Sequence, residues 1–361
     1  MLFRKTTIYA CTLLILNAVF VNGCGKTNIS EEENHIASDR SEVEEENPVT
    51  TDFFAMDTYM TLTAYGAHAD EAVKEAKEKI MELDEKLSIG KENSEISKLN
   101  KNGKAIVSDE VYDLFQRSKA LSEDTQGAFQ PLMEPVMELW GFPSGNYRVP
   151  KEQELKKCLK KMDLEKVACK DEKNEICFEQ KGMKVDLGGI AKGYTSDEVM
   201  RIFRENGVEH AVISLGGNTQ TLGEKQDGSA WRVAVEDPQD TQDYLGIIEV
   251  KDKAVVTSGG YERYFEKDGK KYHHIIDPET GYPAENGILS ASIISSDGTL
   301  ADGLSTALFV MGLEKATTYW RAHSEEFDTI LETTDGKLYV TEGIAEQFTS
   351  EKEVQILKKE E

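Results

Sequence analysis

The sequence predicts an α+β fold, with mixed, largely antiparallel sheets and helices on the outside. Two observations carry this. The runs with strand character are short and often joined by turns, and no regular βαβ alternation links them. A chain of 361 residues can bury one large core or two. Its formal net charge is −25 and no basic stripe accompanies it, so a nucleic-acid backbone would be repelled. Nucleic acid is excluded as a partner.

Residues 1–23 read as a lipoprotein signal peptide rather than as fold. Arg4 and Lys5 form a basic start, and 8–21 is mostly apolar but too short to span a membrane comfortably. The segment ends in Val21-Asn22-Gly23-Cys24, which resembles a lipobox, with Cys24 as the lipid-bearing residue. Asn22 is unusual there, and plain secretion is the other reading. The expected location is extracytoplasmic, lipid-anchored to the bacterial cell membrane. Residues 24–51 form an acidic, flexible tether with almost no large apolar side chain to order it. Of five cysteines, Cys158, Cys169 and Cys177 fall in the folded part without CxxC spacing, so neither zinc nor redox chemistry is indicated. A Cys169–Cys177 disulfide and reduced thiols are both open.

The folded domain, 52–361, begins with an aromatic and β-branched strand run from Phe53 to Thr63. Ala72, Val73, Ala76, Ile80, Leu83 and Leu87 then recur at helical spacing, predicting an amphipathic helix over 69–87. A short helical turn is expected at 94–100, and a helix from Ser108 as N-cap to about Asp124. Gly127 and Pro131 bracket a segment with a special backbone path. Pro150 opens a charged helix to about Met162, and short strands are expected near Val167, Ile176 and Val185. A helix from about Tyr194 to Asn206 follows, then strands at 210–214, 231–237 and 254–257. A last strand pair flanks helices that run to Met311 and from Glu314 to His323.

Two stretches carry chemistry. Around Asp186, a strand, the pair Gly188-Gly189 and a helix would present backbone N–H groups where phosphate binds well. Neither the P-loop pattern nor GxGxxG spacing is met, and such a junction is often only a tight turn. Farther on, His273, His274 and Asp277 precede a turn, and Asp302 stands four residues before Thr306. On a helix those two share a face, and a carboxylate with a hydroxyl suits Mg²⁺ rather than Zn²⁺. Taken alone, Asp302 reads first as a helix N-cap.

Several motifs coincide. They are Met56-Asp57-Thr58, Gly127-Ala128-Phe129 before Leu139-Trp140-Gly141-Phe142, and the Asp186 to Tyr194 run DLGGIAKGY. Leu215-Gly216-Gly217-Asn218 and Thr257 to Arg263 (TSGGYER) follow, then His274 to Pro283 (HIIDPETGYP) and Ala301 to Ala307 (ADGLSTA). In this order and spacing they closely resemble the ApbE family, the FAD:protein FMN transferases, from about Phe53 to the C-terminus. The resemblance implies Mg²⁺-dependent transfer of FMN from FAD onto a Thr or Ser hydroxyl of an exported redox protein, with release of AMP. It assigns Asp302, Thr306, the neighbouring Ser305 and the Gly189 carbonyl to the metal. Met56, Ala128, Phe129, Gln130, Asp186, Lys192 and Ile276 fall at FAD-contacting positions, and His274 or Asp277 would take the acceptor proton. Gln130 stands where the family commonly has Asp, so charge is missing there, and a common aromatic near Gly90 is missing too. The competing functions are a Mg²⁺-dependent FAD pyrophosphatase and a non-catalytic flavin-binding lipoprotein.

Overall fold

A computed structural model describes residues 47–360. The signal peptide, Cys24 and the tether up to residue 46 lie outside the described residues. The framework is a nine-stranded sheet whose spatial order follows the chain. Its strands are Val49–Ala55, Thr58–Tyr65, His210–Leu215, Asn218–Leu222, Ala254–Gly259, Ile288–Ser295, Phe327–Thr333, Leu338–Thr341 and Val354–Leu357. Neighbours are antiparallel except the last pair. The expected α+β class, with largely antiparallel sheets, is the one observed.

Strand alternation sends successive side chains to opposite faces, and both faces are covered. Val255, Ile294 and Ile330 pack with Trp231, Val235 and Ile248 from a three-stranded sheet that lies over one face. Ala254, Val256, Ile293 and Leu331 join Leu304, Leu308 and Trp320 of the long helix Gly298–Ala322 on the other. Beside it runs the glycine-led helix Gly188–Glu205, then the helix Ala69–Leu87, whose predicted apolar stripe is buried in full. The long helix breaks at Gly312 (φ 76°, ψ 167°), where the sequence placed the junction between two helices.

The structure corrects five expectations. The first strand begins at Val49 rather than at residue 52, and Met56-Asp57 is not strand but the tip of a two-residue hairpin, both at positive φ (48° and 58°). Val185 is not in a strand, because its N–H and C=O bond to the side-chain amide of Asn100 at 2.7 and 2.8 Å. The Gly188-Gly189 pair is not a turn ahead of a helix but the helix's first residues. Asp302 is not an N-cap. That role belongs to Asp297, whose Oδ1 accepts the Leu300 N–H at 2.8 Å, and Asp302 lies in the second helical turn. All three described cysteines are free thiols; Cys169 faces Ile176 across the ladder and Cys177 faces Ala168. Among the described residues no helix is long and apolar enough to cross a membrane.

Candidate active site

The site is built where the glycine-led helix touches the long helix. A Cβ on Gly193 would lie 2.1 Å from the Gly298 carbonyl and 2.6 Å from the Asp302 Cβ, so only glycine admits this approach. The contact lets the Gly193 N–H donate to Asp302 Oδ2 at 2.8 Å. Asp302 is 5 % exposed, and burial pushes its carboxyl up from the ordinary range while Lys192 and the backbone N–H groups pull it down. Thr306 lies one turn on. A Cβ on Gly189 would lie 3.9 Å from Thr306 Oγ1 and 3.4 Å from the Phe129 ring, so Gly189, Phe129 and Thr306 meet at one point.

The donors gathered here are a buried carboxylate, a hydroxyl and the adjacent Gly189 backbone. All are hard oxygens and fit a small divalent cation. Among the described residues no three His, Cys, Asp or Glu side chains converge as a cage. Ser305 differs from its neighbours: it is fully buried, and its Oγ lies 2.7 Å from the Asp302 carbonyl and 2.7 Å from Ser258 Oγ. Its hydroxyl is engaged on both sides by these contacts. Ser258 also lies 3.3 Å from Thr306 Oγ1.

Lys192 extends its Nζ to 3.4 Å from the Gly216 carbonyl, in the hairpin turn that packs on Thr58. Its charge lowers the proton affinity of Asp302, of Glu262 and of His274, so these four groups share one electrostatic neighbourhood. Glu262 lies in the turn after the strand Ala254–Gly259, where desolvation pushes its carboxyl up and Lys192 pulls it down. Met56 Sδ rests 3.6 Å from Thr195 Oγ1, whose proton goes to the Ala191 carbonyl at 2.7 Å, so the hairpin tip lies against the glycine-led helix.

The two histidines point in opposite directions. His273 ends its strand, with Nε2 3.1 Å from the Ala284 carbonyl and its ring edge-on to Phe309. His274 lies beyond the strand, edge-on to Phe142, with Nδ1 3.1 Å from the Arg263 carbonyl. A carbonyl only accepts, so Nδ1 carries the proton and Nε2 the lone pair. Desolvation above all, then Arg263, His273 and Lys192, lower this imidazole to about 4, so it is neutral at pH 7.

Other predicted residues prove to be fastened internally. Asp186 Oδ1 accepts the Gly188 N–H at 2.8 Å and its own N–H donates to the Pro131 carbonyl at 2.8 Å, joining the glycine-led helix to the 127–131 segment. In that segment Phe129 is buried and Thr125 Oγ1 accepts its N–H at 3.1 Å. Gln130 gives its amide to the Met162 carbonyl at 3.2 Å and accepts from Leu132 N at 3.0 Å. Asp277 accepts the Glu279 N–H at 2.8 Å and the Thr280 hydroxyl at 3.1 Å, as a turn-forming carboxylate does. Ile276 is buried and bridges to Pro283. A cavity of about 860 Å³ is lined by Ala128, Gln130 and Asp277, but by none of Gly189, Lys192, Asp302 or Thr306. It lies to one side of these four residues. Ser258 and Glu262 escaped the sequence reading although their motif was seen, because spacing alone does not tell which hydroxyl of Thr257-Ser258 faces the helices.

The ApbE family model matches residues 56–331 of this chain. The chain belongs to the ApbE family. Among ApbE relatives, the FAD:protein FMN transferase of Klebsiella pneumoniae is 38 % identical over 63 % of this chain and 70 % of its own length. That of Vibrio cholerae is 33 % identical over 71 % of this chain and 78 % of its own. The crystal structure of the Thermotoga maritima ApbE protein matches with a TM-score of 0.78 at 33 % identity, over 83 % of this chain and 99 % of that one. Pseudomonas stutzeri flavinyl transferase ApbE, in its apo form, gives 0.76 at 27 % identity over 85 % and 99 %. The matched ApbE region runs from the Met56 hairpin tip to Leu331 and so contains every donor described above.

Proposed function

We propose that the chain moves FMN from FAD onto a Thr or Ser hydroxyl of an acceptor protein and releases AMP, in a Mg²⁺-dependent reaction. The observation that carries this reading is the meeting of Asp302, Thr306 and Gly189 beside Lys192. These are the residues that would hold Mg²⁺, which when bound would neutralise pyrophosphate charge and polarise phosphorus. The protein's own contribution begins with charge, because a chain at −25 needs oriented donors to admit a pyrophosphate. Lys192 and the N-terminal N–H groups of the glycine-led helix supply them. His274, neutral and with Nε2 free of the Arg263 contact, is suited to accept the acceptor hydroxyl's proton as its oxygen bonds to the FMN phosphorus and AMP departs. Asp277, with both carboxylate oxygens occupied in its turn, is the weaker candidate for that role. Phe129, Met56 and Ile276 would supply apolar contact for the cofactor.

The acceptor is read as an exported redox protein, and the chain as a lipoprotein anchored through Cys24 outside the cytoplasm, on the strength of the signal-like N-terminal sequence. Acyl labelling of the full chain checks the anchor: Cys24→Ser should abolish it, and equal labelling of both proteins would contradict it. The reaction is tested by incubating the protein with FAD, Mg²⁺ and candidate exported redox proteins. Flavin fluorescence that survives denaturing gels, with AMP release that requires the acceptor, supports transfer. Equal AMP release without any acceptor identifies a pyrophosphatase, and saturable FAD binding without turnover identifies a binding protein.

A further inference from the structure

We infer that Ser258 is a positioning residue which orients the Thr306 hydroxyl so that its lone pairs are kept for a cation. This inference rests on the Mg²⁺ reading of the site and sharpens it. It follows from counting protons along a chain of three hydroxyls. Ser305 Oγ lies 2.7 Å from the main-chain carbonyl of Asp302, which can only accept, so the single Ser305 proton goes there. Ser305 Oγ and Ser258 Oγ are 2.7 Å apart, and with the Ser305 proton committed, Ser258 must be the donor. The Ser258 proton is then committed too. In the remaining contact, 3.3 Å to Thr306 Oγ1, Thr306 must donate to Ser258. Its proton is therefore held toward Ser258 on the sheet.

A hydroxyl that rotates freely can offer a cation its proton as readily as its lone pair, and must pay for being ordered. One whose proton is already engaged offers only acceptor capacity. The relay starts at the Thr306 hydroxyl and ends on the main-chain carbonyl of Asp302, so one side chain read as a cation donor is tied to the backbone of the other.

The sequence supports this placement. Thr257 and Ser258 are adjacent on the strand Ala254–Gly259, so their hydroxyls face opposite sides of the sheet. Thr257 pairs with Ser292 at 2.7 Å, while Ser258 turns to the long helix. A serine is small enough to sit under the Ser305-Thr306 step, and alanine at 258 would keep the packing while deleting the relay.

The test is a calorimetric Mg²⁺ titration of the wild-type protein, Ser258→Ala and Ser258→Thr, with melting temperatures recorded in metal-free buffer. Partners that orient a metal ligand from behind typically affect affinity about 10–100-fold. Ser258→Ala should therefore bind Mg²⁺ about 10-fold more weakly, with a metal-free melting temperature close to wild type, and Ser258→Thr should restore the affinity. Wild-type affinity in Ser258→Ala would overturn the relay, as would a Ser258→Thr protein that melts normally yet binds as weakly as Ser258→Ala. Should Ser258→Ala fail to fold, Ser258→Cys, nearly isosteric but a poor hydrogen-bonding partner, takes its place with the same expected loss. A wild-type protein with no saturable Mg²⁺ binding would overturn the metal reading itself, an outcome separate from failure of the relay alone.

Discussion

The helix-pair wall and the loop wall of the site handle polar side chains in opposite ways. Where the glycine-led and long helices meet, Asp302 Oδ2 accepts the Gly193 N–H, Thr306 Oγ1 has Ser258 Oγ at 3.3 Å, and Lys192 reaches the Gly216 carbonyl at 3.4 Å. These groups are buried or half-buried and retain bonding capacity. In the loops around 125–131 and 275–283, Gln130 and Asp277 spend both ends of their side chains on neighbouring backbone and hydroxyl groups. A buried polar group keeps unspent capacity at a cost in stability, so its presence marks a place where something else is to be bound. The loops around 125–131 and 275–283 spend their polar groups on shape, while the helix pair keeps polar groups unspent.

That contrast ranks the expected effects of substitution. Asp302→Ala removes the one carboxylate among the cation donors and should lower FMN transfer by at least about 10³-fold with an unchanged circular-dichroism spectrum. A variant that keeps most of its Mg²⁺-dependent activity would break the comparison at its strongest point. His274→Ala should cost about 10²–10⁴-fold in single-turnover AMP release at saturating FAD, and His273→Ala only a few-fold, since its ring packs on Phe309. A large loss confined to His273→Ala would reverse the assignment. In the wild-type free enzyme, the acid limb contributed by His274 should lie near pH 4 rather than 6.5.

Glu134 gives a pH test of the same rule. It is 4 % exposed, one carboxylate oxygen has no partner, and desolvation, with Asp186 and Glu138 adding to it, raises it to about 8 from 4.5. The folded protein thus holds this proton more tightly than the unfolded chain. Its contribution to stability is intact below about pH 4.5 and is lost as pH rises through about 8. Glu134→Gln should therefore melt higher than wild type at pH 8–9, by about 2–4 °C for each kcal/mol recovered, and the gap should close toward pH 4.5. A gap independent of pH would show that the carboxyl is not protonated in the folded state. The smallest effect belongs to Asp277→Asn, which keeps most of the turn's hydrogen bonds and should leave kcat within a few-fold of wild type. A loss as deep as that of His274→Ala would move the proton-accepting role to the loop.

Much of the fold was legible because packing imposes periodicity. The helix Ala69–Leu87 has the predicted bounds, since its apolar spacing leaves one buried stripe. The break at Gly312 was legible too, as the interruption between an apolar run ending at Met311 and a helix starting at Glu314. What escaped depends on contacts distant in sequence. Val185 looks like a strand residue, but the partner satisfying its backbone is a side chain 85 positions away. Gly188-Gly189 looks like a turn because glycine is a poor helix former, yet Gly188 lies against the Asp186 carboxylate and Gly189 against Phe129 and Thr306. Asp302 resembles a cap until Asp297 is seen to hold that position. The site motifs are visible in the sequence, but not which of their polar atoms the fold itself consumes, such as the contacts of Ser258 or the turn bonds of Asp277.

We propose that the contact between the two helices holds the cation. The most direct test is Mn²⁺ binding to the purified protein and to Asp302→Ala, followed by electron paramagnetic resonance in the absence of any acceptor protein. Saturable binding in the wild type that competes with Mg²⁺ and disappears in Asp302→Ala is the predicted result. Binding of equal affinity in both proteins would contradict the account and put the cation elsewhere.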